Sequence, residues 1–151
     1  MDEEIKRGCA SEVLSVKEMT VAAQIPNIGP VTDFVNEILE TAGCPMRSVI
    51  QLDVAIDELL SNIANYAYRG TDGGDATVRV ALLKEPAGVS ITFIDTGMQY
   101  DPLSKEDPDV TLSAQERGIG GLGVFMVKKT MDDMCYKYEN GQNMLTITKL
   151  F

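Results

Sequence analysis

The chain is predicted to fold as an α+β, two-layer sandwich: a mixed, mostly antiparallel sheet covered on one face by helices. Two observations point there. The long helical patterns each carry a single apolar stripe, and the strand-like runs come in pairs joined by tight turns, so the stripes and one sheet face can bury each other. With 151 residues, 44% of them hydrophobic, the chain is expected to form one domain, 1–151, around one core.

Residues 13–25 alternate loosely and are rich in β-branched side chains, which reads as a strand. Pro26, Gly29 and Pro30 then punctuate before the periodic run Val31, Phe34, Val35, Ile38, Leu39, a helix stopped by Gly43 and Pro45. A longer helical pattern runs from about Met46 to Tyr68, and a polar loop follows from Arg69 to Asp75. Strands 76–83 and 89–95 pair through Glu85 to Gly88. Residues from about 97 to 120 hold prolines and acids with little apolar periodicity. A compact domain rarely leaves that length structureless unless it works as a lid. A helix over 121–131 follows, then strands 134–138 and 144–150 about Asn140-Gly141, a type I′ hairpin signal.

Composition excludes several functions. Acids outnumber bases 23 to 13, a formal charge of −10, so a nucleic-acid surface is not expected. No apolar run reaches the roughly 20 residues that cross a bilayer. The charged segment from Met1 to Gly8 does not read as a signal peptide, so a cytoplasmic location is expected. Cys9, Cys44 and Cys135 are too scattered for a disulfide framework or paired metal ligands. The chain has no histidine, which leaves proton transfer to carboxylates.

On the second helix Leu52, Ile56, Leu59, Leu60, Ile63 and Ala67 share one face, and Glu58, Asn62, Asn65 and Arg69 form a polar strip opposite. Such a strip is often no more than a solvated surface. Asparagine, however, is about half a kcal/mol worse than alanine inside a helix, so its place beside Glu58 also reads as a site. Glu58 and Asn62 lie one turn apart and can reach one ligand. An asparagine carbonyl plus triphosphate oxygens is an adequate shell for magnesium. Asp95-Thr96-Gly97 ends an apolar strand. Its aspartate either closes a turn or offers an acceptor to a buried donor such as a purine amino group. Arg117-Gly118-Ile119-Gly120-Gly121-Leu122-Gly123 opens a helix, where bare backbone N–H groups can hold phosphate. It lacks the lysine and hydroxyl residue of a P-loop.

Taken in order, a helix with Glu58-x-x-x-Asn62, a strand ending in Asp95-x-Gly97, a lid containing Asp107-Pro108-Asp109, and the Gly120-Gly121-Leu122-Gly123-Val124-Phe125 stretch resemble the ATPase superfamily of gyrase, sensor histidine kinases and MutL. Within it the likeness is to the anti-sigma-factor serine/threonine-protein kinases, and it extends over nearly the whole chain, including Met131-Asp132-Asp133 and the closing hairpin. The resemblance implies ATP or ADP with Mg2+ as cofactors. It makes Glu58 the general base on a partner serine, Asn62 the magnesium ligand and Asp95 the acceptor for the adenine amino group. Gly97 would let the base lie close to the backbone. Gly121, Leu122 and Gly123 would approach the phosphates, and Arg117 would face the terminal phosphate or the partner. The implied partners are a sigma factor and its antagonist protein, with a homodimer expected.

The chain departs from the family pattern at Gln99, which replaces the second glycine of Asp-x-Gly-x-Gly. It departs again at Ile119, and at Tyr66, where a histidine or lysine often stands. A nucleotide-gated binding module without catalysis is therefore the alternative function. Autophosphorylation on histidine is disfavoured, because the chain has none to modify.

Overall fold

The computed structural model describes residues 12–104 and 122–151. Its elements run β1 (Glu12–Ala22), α1 (Ile28–Thr41), α2 (Met46–Asn62), β2 (Asp75–Lys84), β3 (Gly88–Asp95), α3 (Leu122–Thr130), β4 (Asp133–Glu139) and β5 (Gln142–Leu150). The described strands form a sheet of order β1-β2-β3-β5-β4. Every ladder among them is antiparallel, so the sheet is more uniform than the mixed one expected.

The core lies between the helices and one sheet face. Val31, Val35 and Leu39 of α1, Leu52 and Ile56 of α2 and Val127 of α3 are all but fully buried, together with Val78, Val80, Ile91, Phe93 and Ile147 of the sheet. Each contributes on the order of 1.5–3 kcal/mol when removed from water. The other sheet face carries cross-strand hydroxyl pairs instead: Ser90 with Thr148 at 2.9 Å, Thr92 with Thr146 at 2.8 Å and Thr20 with Thr77 at 2.8 Å.

Three local features differ from or sharpen the sequence reading. Helix α1 begins at Ile28, earlier than the apolar period implied, and takes Gly29 and Pro30 into its first turn. Proline is tolerated there because the first N–H groups of a helix lack partners in any case. Helix α2 ends at Asn62, and residues Ile63–Ala67 wind as a wider π turn. That turn brings the Ala67 carbonyl to the backbone N–H of Met98 at 2.9 Å, tying the end of the helix to the segment after β3. Asn140 and Gly141 both have positive φ, 54° and 76°, as a type I′ hairpin requires.

Among the described residues no helix is long and apolar enough to cross a membrane. Burial pushes the Cys44 thiol above its ordinary range.

Candidate functional site

A cavity of about 570 Å³ opens between the end of α2, the sheet and the start of α3. Its walls are mostly apolar, from Leu59, Ile63, Phe93, Val124 and Leu145, and its polar groups include Asn62, Arg69, Asp95, Tyr100, Tyr136 and Asn143. Apolar walls with a few convergent polar groups are the usual make-up of a small-molecule site, and this volume is within the usual range. Asn62, the last residue of α2, projects one turn beyond Glu58. Past the π turn, the Arg69 guanidinium lies 4.6 Å from the centre of the Tyr66 ring, and both residues line the cavity.

Asp95 is buried at the end of β3 and stands opposite Asn143 in the β3–β5 ladder. Its Oδ1 accepts the Asn143 amide at 2.9 Å and the backbone N–H of Gly97 at 2.9 Å. The turn-closing reading of this aspartate is therefore correct for one oxygen. No bond to its Oδ2 exists among the described residues, which leaves an acceptor on a cavity-lining side chain. Gly97 is required by a close approach: a Cβ there would strike the Ala67 carbonyl. The Tyr68 hydroxyl fixes the same turn from the other side, accepting Thr96 N–H at 2.9 Å and donating to the Asp75 carbonyl at 2.5 Å.

Asn143 was not singled out by the sequence. Its Oδ1 accepts the Tyr136 hydroxyl at 2.5 Å and Tyr100 N–H at 3.1 Å, and its amide also donates to the Met98 carbonyl at 3.0 Å. It thereby holds Asp95, the turn after β3 and the Tyr136 side chain in one network. Burial, ahead of the neighbouring carboxylates, raises the Tyr136 phenol above its ordinary value, while the hydrogen bond with Tyr100 works in the opposite direction. The available signal was an amide on the same alternating face as Leu145 and Ile147, where a buried polar side chain needs partners.

Glu58 is half-buried and does not line the cavity. It packs against Gly123 in the first turn of α3, and a Cβ on that glycine would fall on the Glu58 carboxylate. The structure thus joins Glu58 with Gly123, and Asn62 with Asp95. Gly97 stands between Asp95 and Ala67 of the π turn. Leu122 opens α3. Arg117 and Gly121, with Ile119 and the Asp107-Pro108-Asp109 part of the expected lid, lie outside the described residues.

A family model, the histidine kinase-like ATPase domain, matches residues 21–149. The chain is similar to the serine-protein kinase RsbW of Listeria monocytogenes, at 27% identity over 112 residues that make up 72% of this chain and 70% of that protein. It is 31% identical to the serine/threonine-protein kinase BtrW of Bordetella bronchiseptica over 97 residues, 64% of this chain and 67% of that protein. A crystal structure of RsbU and RsbW domains from Mycobacterium tuberculosis shares the fold, with a TM-score of 0.63 at 19% identity. That match covers 90% of this chain but 32% of the other.

Proposed function

The chain belongs to the histidine kinase-like ATPase family, among the anti-sigma-factor serine/threonine-protein kinases, and on that premise we propose that it binds ATP and phosphorylates a serine of an antagonist protein. Such a kinase acts in the cytoplasm by partner switching, holding a sigma factor and releasing it to regulate transcription. The observation that carries the reading is Asp95, with one oxygen fixed by Asn143 and Gly97 and the other left to a cavity whose polar groups include Asn62.

In this reading Asp95 Oδ2 accepts the exocyclic amino group of adenine, and the apolar walls cover the base. Among the described residues no group of three or more acidic, cysteine or histidine side chains gathers to hold a metal. Magnesium at the Asn62 carbonyl would then take the rest of its shell from phosphate oxygens and water, as this small, hard ion usually does. Bound ATP supplies the activated γ-phosphoryl group. Glu58 takes the proton of the serine hydroxyl as that oxygen bonds to the γ-phosphorus and the bond to the β-phosphate oxygen of departing ADP breaks.

One observation favours the non-catalytic module instead: Glu58 rests against Gly123 and outside the cavity lining. Two measurements separate the readings. Calorimetric titration with ATP and ADP, with and without magnesium, is expected to show saturable binding and a raised Tm, and no heat at millimolar nucleotide overturns both readings. Transfer of labelled phosphate from ATP to a purified antagonist protein is expected for the kinase, and binding without transfer leaves the module.

A further inference from the structure

Helix α2 buries Leu52, Ala55, Ile56, Leu59 and Leu60 in the core, yet it also turns three large apolar side chains to solvent. Met46 is 70% exposed, and Ile50 and Val54 are each 56% exposed. Their four-residue spacing stacks them into one ridge. A surface helix needs a single apolar stripe to fold, so this second one does not serve the core. An exposed apolar strip with a polar rim marks an interaction surface.

The same four-residue series continues without a break into Glu58 and then Asn62. Met46 lies about 18 Å from Glu58 along the helix axis and Val54 about 6 Å, at 1.5 Å per residue. A protein that offers a serine to Glu58 covers about 800 Å² in a standard interface, a patch roughly 16 Å in radius, so a patch centred on Glu58 takes in Val54 and Ile50 and reaches toward Met46. The rim fixes its chemistry. Asp53 and Asp57 flank the ridge on α2, and Asp33, Glu37 and Glu40 are exposed on α1, which packs beside it; Arg47, next to Met46, is the one cation on the two helices, so the rim stays acidic. The two helices' acids are close enough that Asp33 adds to the rise in the Asp53 pKa. A second copy of this acidic chain would bring like charge to like.

We propose that the Met46–Ile50–Val54 ridge is the docking surface for the acceptor protein, which presents an apolar patch rimmed by lysine or arginine and so delivers its serine to Glu58. The identity of the occupant rests on the kinase reading; the surface itself does not.

The test uses the full chain and the antagonist-domain proteins of the source genome, each purified, in two arms: equilibrium binding in the presence of nucleotide, and labelled phosphate transfer from ATP. Ile50→Glu with Val54→Glu is expected to raise both Kd and KM for the acceptor tenfold or more. ATP affinity, far-UV circular dichroism and kcat at saturating acceptor should be unchanged. The conservative pair Ile50→Val and Val54→Ile should retain wild-type values, and binding should weaken as salt rises, since a basic rim meets an acidic one. Unchanged Kd and KM in the glutamate variant, or capture of a second copy of the chain in place of any antagonist, overturns the proposal. Loss of binding in the variant with no transfer by wild type supports the docking surface and sinks the kinase reading alone.

Discussion

Asp95 and Asn143, 48 residues apart, face each other across the β3–β5 ladder and share a hydrogen bond of 2.9 Å. An isolated carboxylate at the end of a buried strand would be free to rotate. Here one oxygen is pinned by two N–H donors, so the direction of the second is set before any ligand arrives. Preorganisation of this kind lowers the cost of binding.

Replacing Asp95 with asparagine tests that direction. The pinned oxygen can remain an acceptor, but Oδ2 becomes an amide that donates, and it would meet a donating purine amino group. An unmatched buried polar group costs roughly 1–3 kcal/mol. ATP affinity should therefore fall by about one to two orders of magnitude, with the preference for ATP over GTP reduced. Calorimetry with both nucleotides measures this, and unchanged selectivity would refute the assignment.

Asn143 can be tested through its charge. Asn143→Asp sets a second carboxylate against Asp95 Oδ1. Like charges so close raise the proton affinity of the pair in the folded state. The folded protein then binds more protons than the unfolded chain, so stability falls as pH rises. The loss in Tm should be small near the ordinary carboxylate range, about pH 4, and grow toward neutrality. Asn143→Ala takes the shared acceptor Oδ1 from the Tyr136 hydroxyl and the Tyr100 N–H without adding a charge, and its loss should change less over that window. Parallel thermal melts across pH distinguish the two, and a flat profile for Asn143→Asp contradicts the network.

What the sequence made legible was local or periodic. Asn140-Gly141 announces its own turn because two adjacent residues must take positive φ. The stripe of Leu52, Ile56, Leu59 and Leu60 announces the buried face of α2 because helical periodicity is written in the order of residues. Long-range pairings were not legible. Asn143 acquires its meaning only when β5 pairs with β3, and Gly97 only when the π turn brings the Ala67 carbonyl against it. The start of α1 was misplaced because Gly29 and Pro30 are breakers inside a helix but harmless in its first turn. Asn62 and Asp95 were named from their motifs, whereas their meeting in one cavity depends on the packing of α2 over the sheet.

Asp53 offers a prediction about stability alone. Burial raises its pKa, the Asn36 side chain lowers it by hydrogen bonding, and Asp33 raises it again; its Oδ1 is buried with no hydrogen-bond partner among the described residues. An acid whose folded pKa lies above its unfolded value binds more protons when folded, so its charged form destabilises the fold once pH exceeds the unfolded value. Asp53→Asn should raise Tm at pH 7, with the gain shrinking as pH falls toward 4, where the wild-type carboxyl is increasingly protonated. Melting curves at the two pH values decide it, and an equal gain at both contradicts the ionisation account.

The contact between Glu58 and Gly123 yields the most direct test of catalysis. Glu58→Gln keeps the shape of the side chain and removes the base. Losing a positioned base typically costs on the order of 10²- to 10⁴-fold in rate, while ATP binding has little need of a carboxylate that the triphosphate repels. Single-turnover transfer should thus collapse with ATP affinity intact. Gly123→Ala reaches the same residue through packing: its methyl group would occupy the place of the Glu58 carboxylate, so either Glu58 or the first turn of α3 must shift. If Glu58 acts as the base where it now lies, transfer should fall in Gly123→Ala as well. Combining Gly123→Ala with Glu58→Gln should then cost little more than Glu58→Gln alone, because both changes remove the same function. Fully additive losses in the double variant would mean that Gly123 acts on the phosphates independently of Glu58, and a wild-type rate in Glu58→Gln would remove Glu58 from the mechanism.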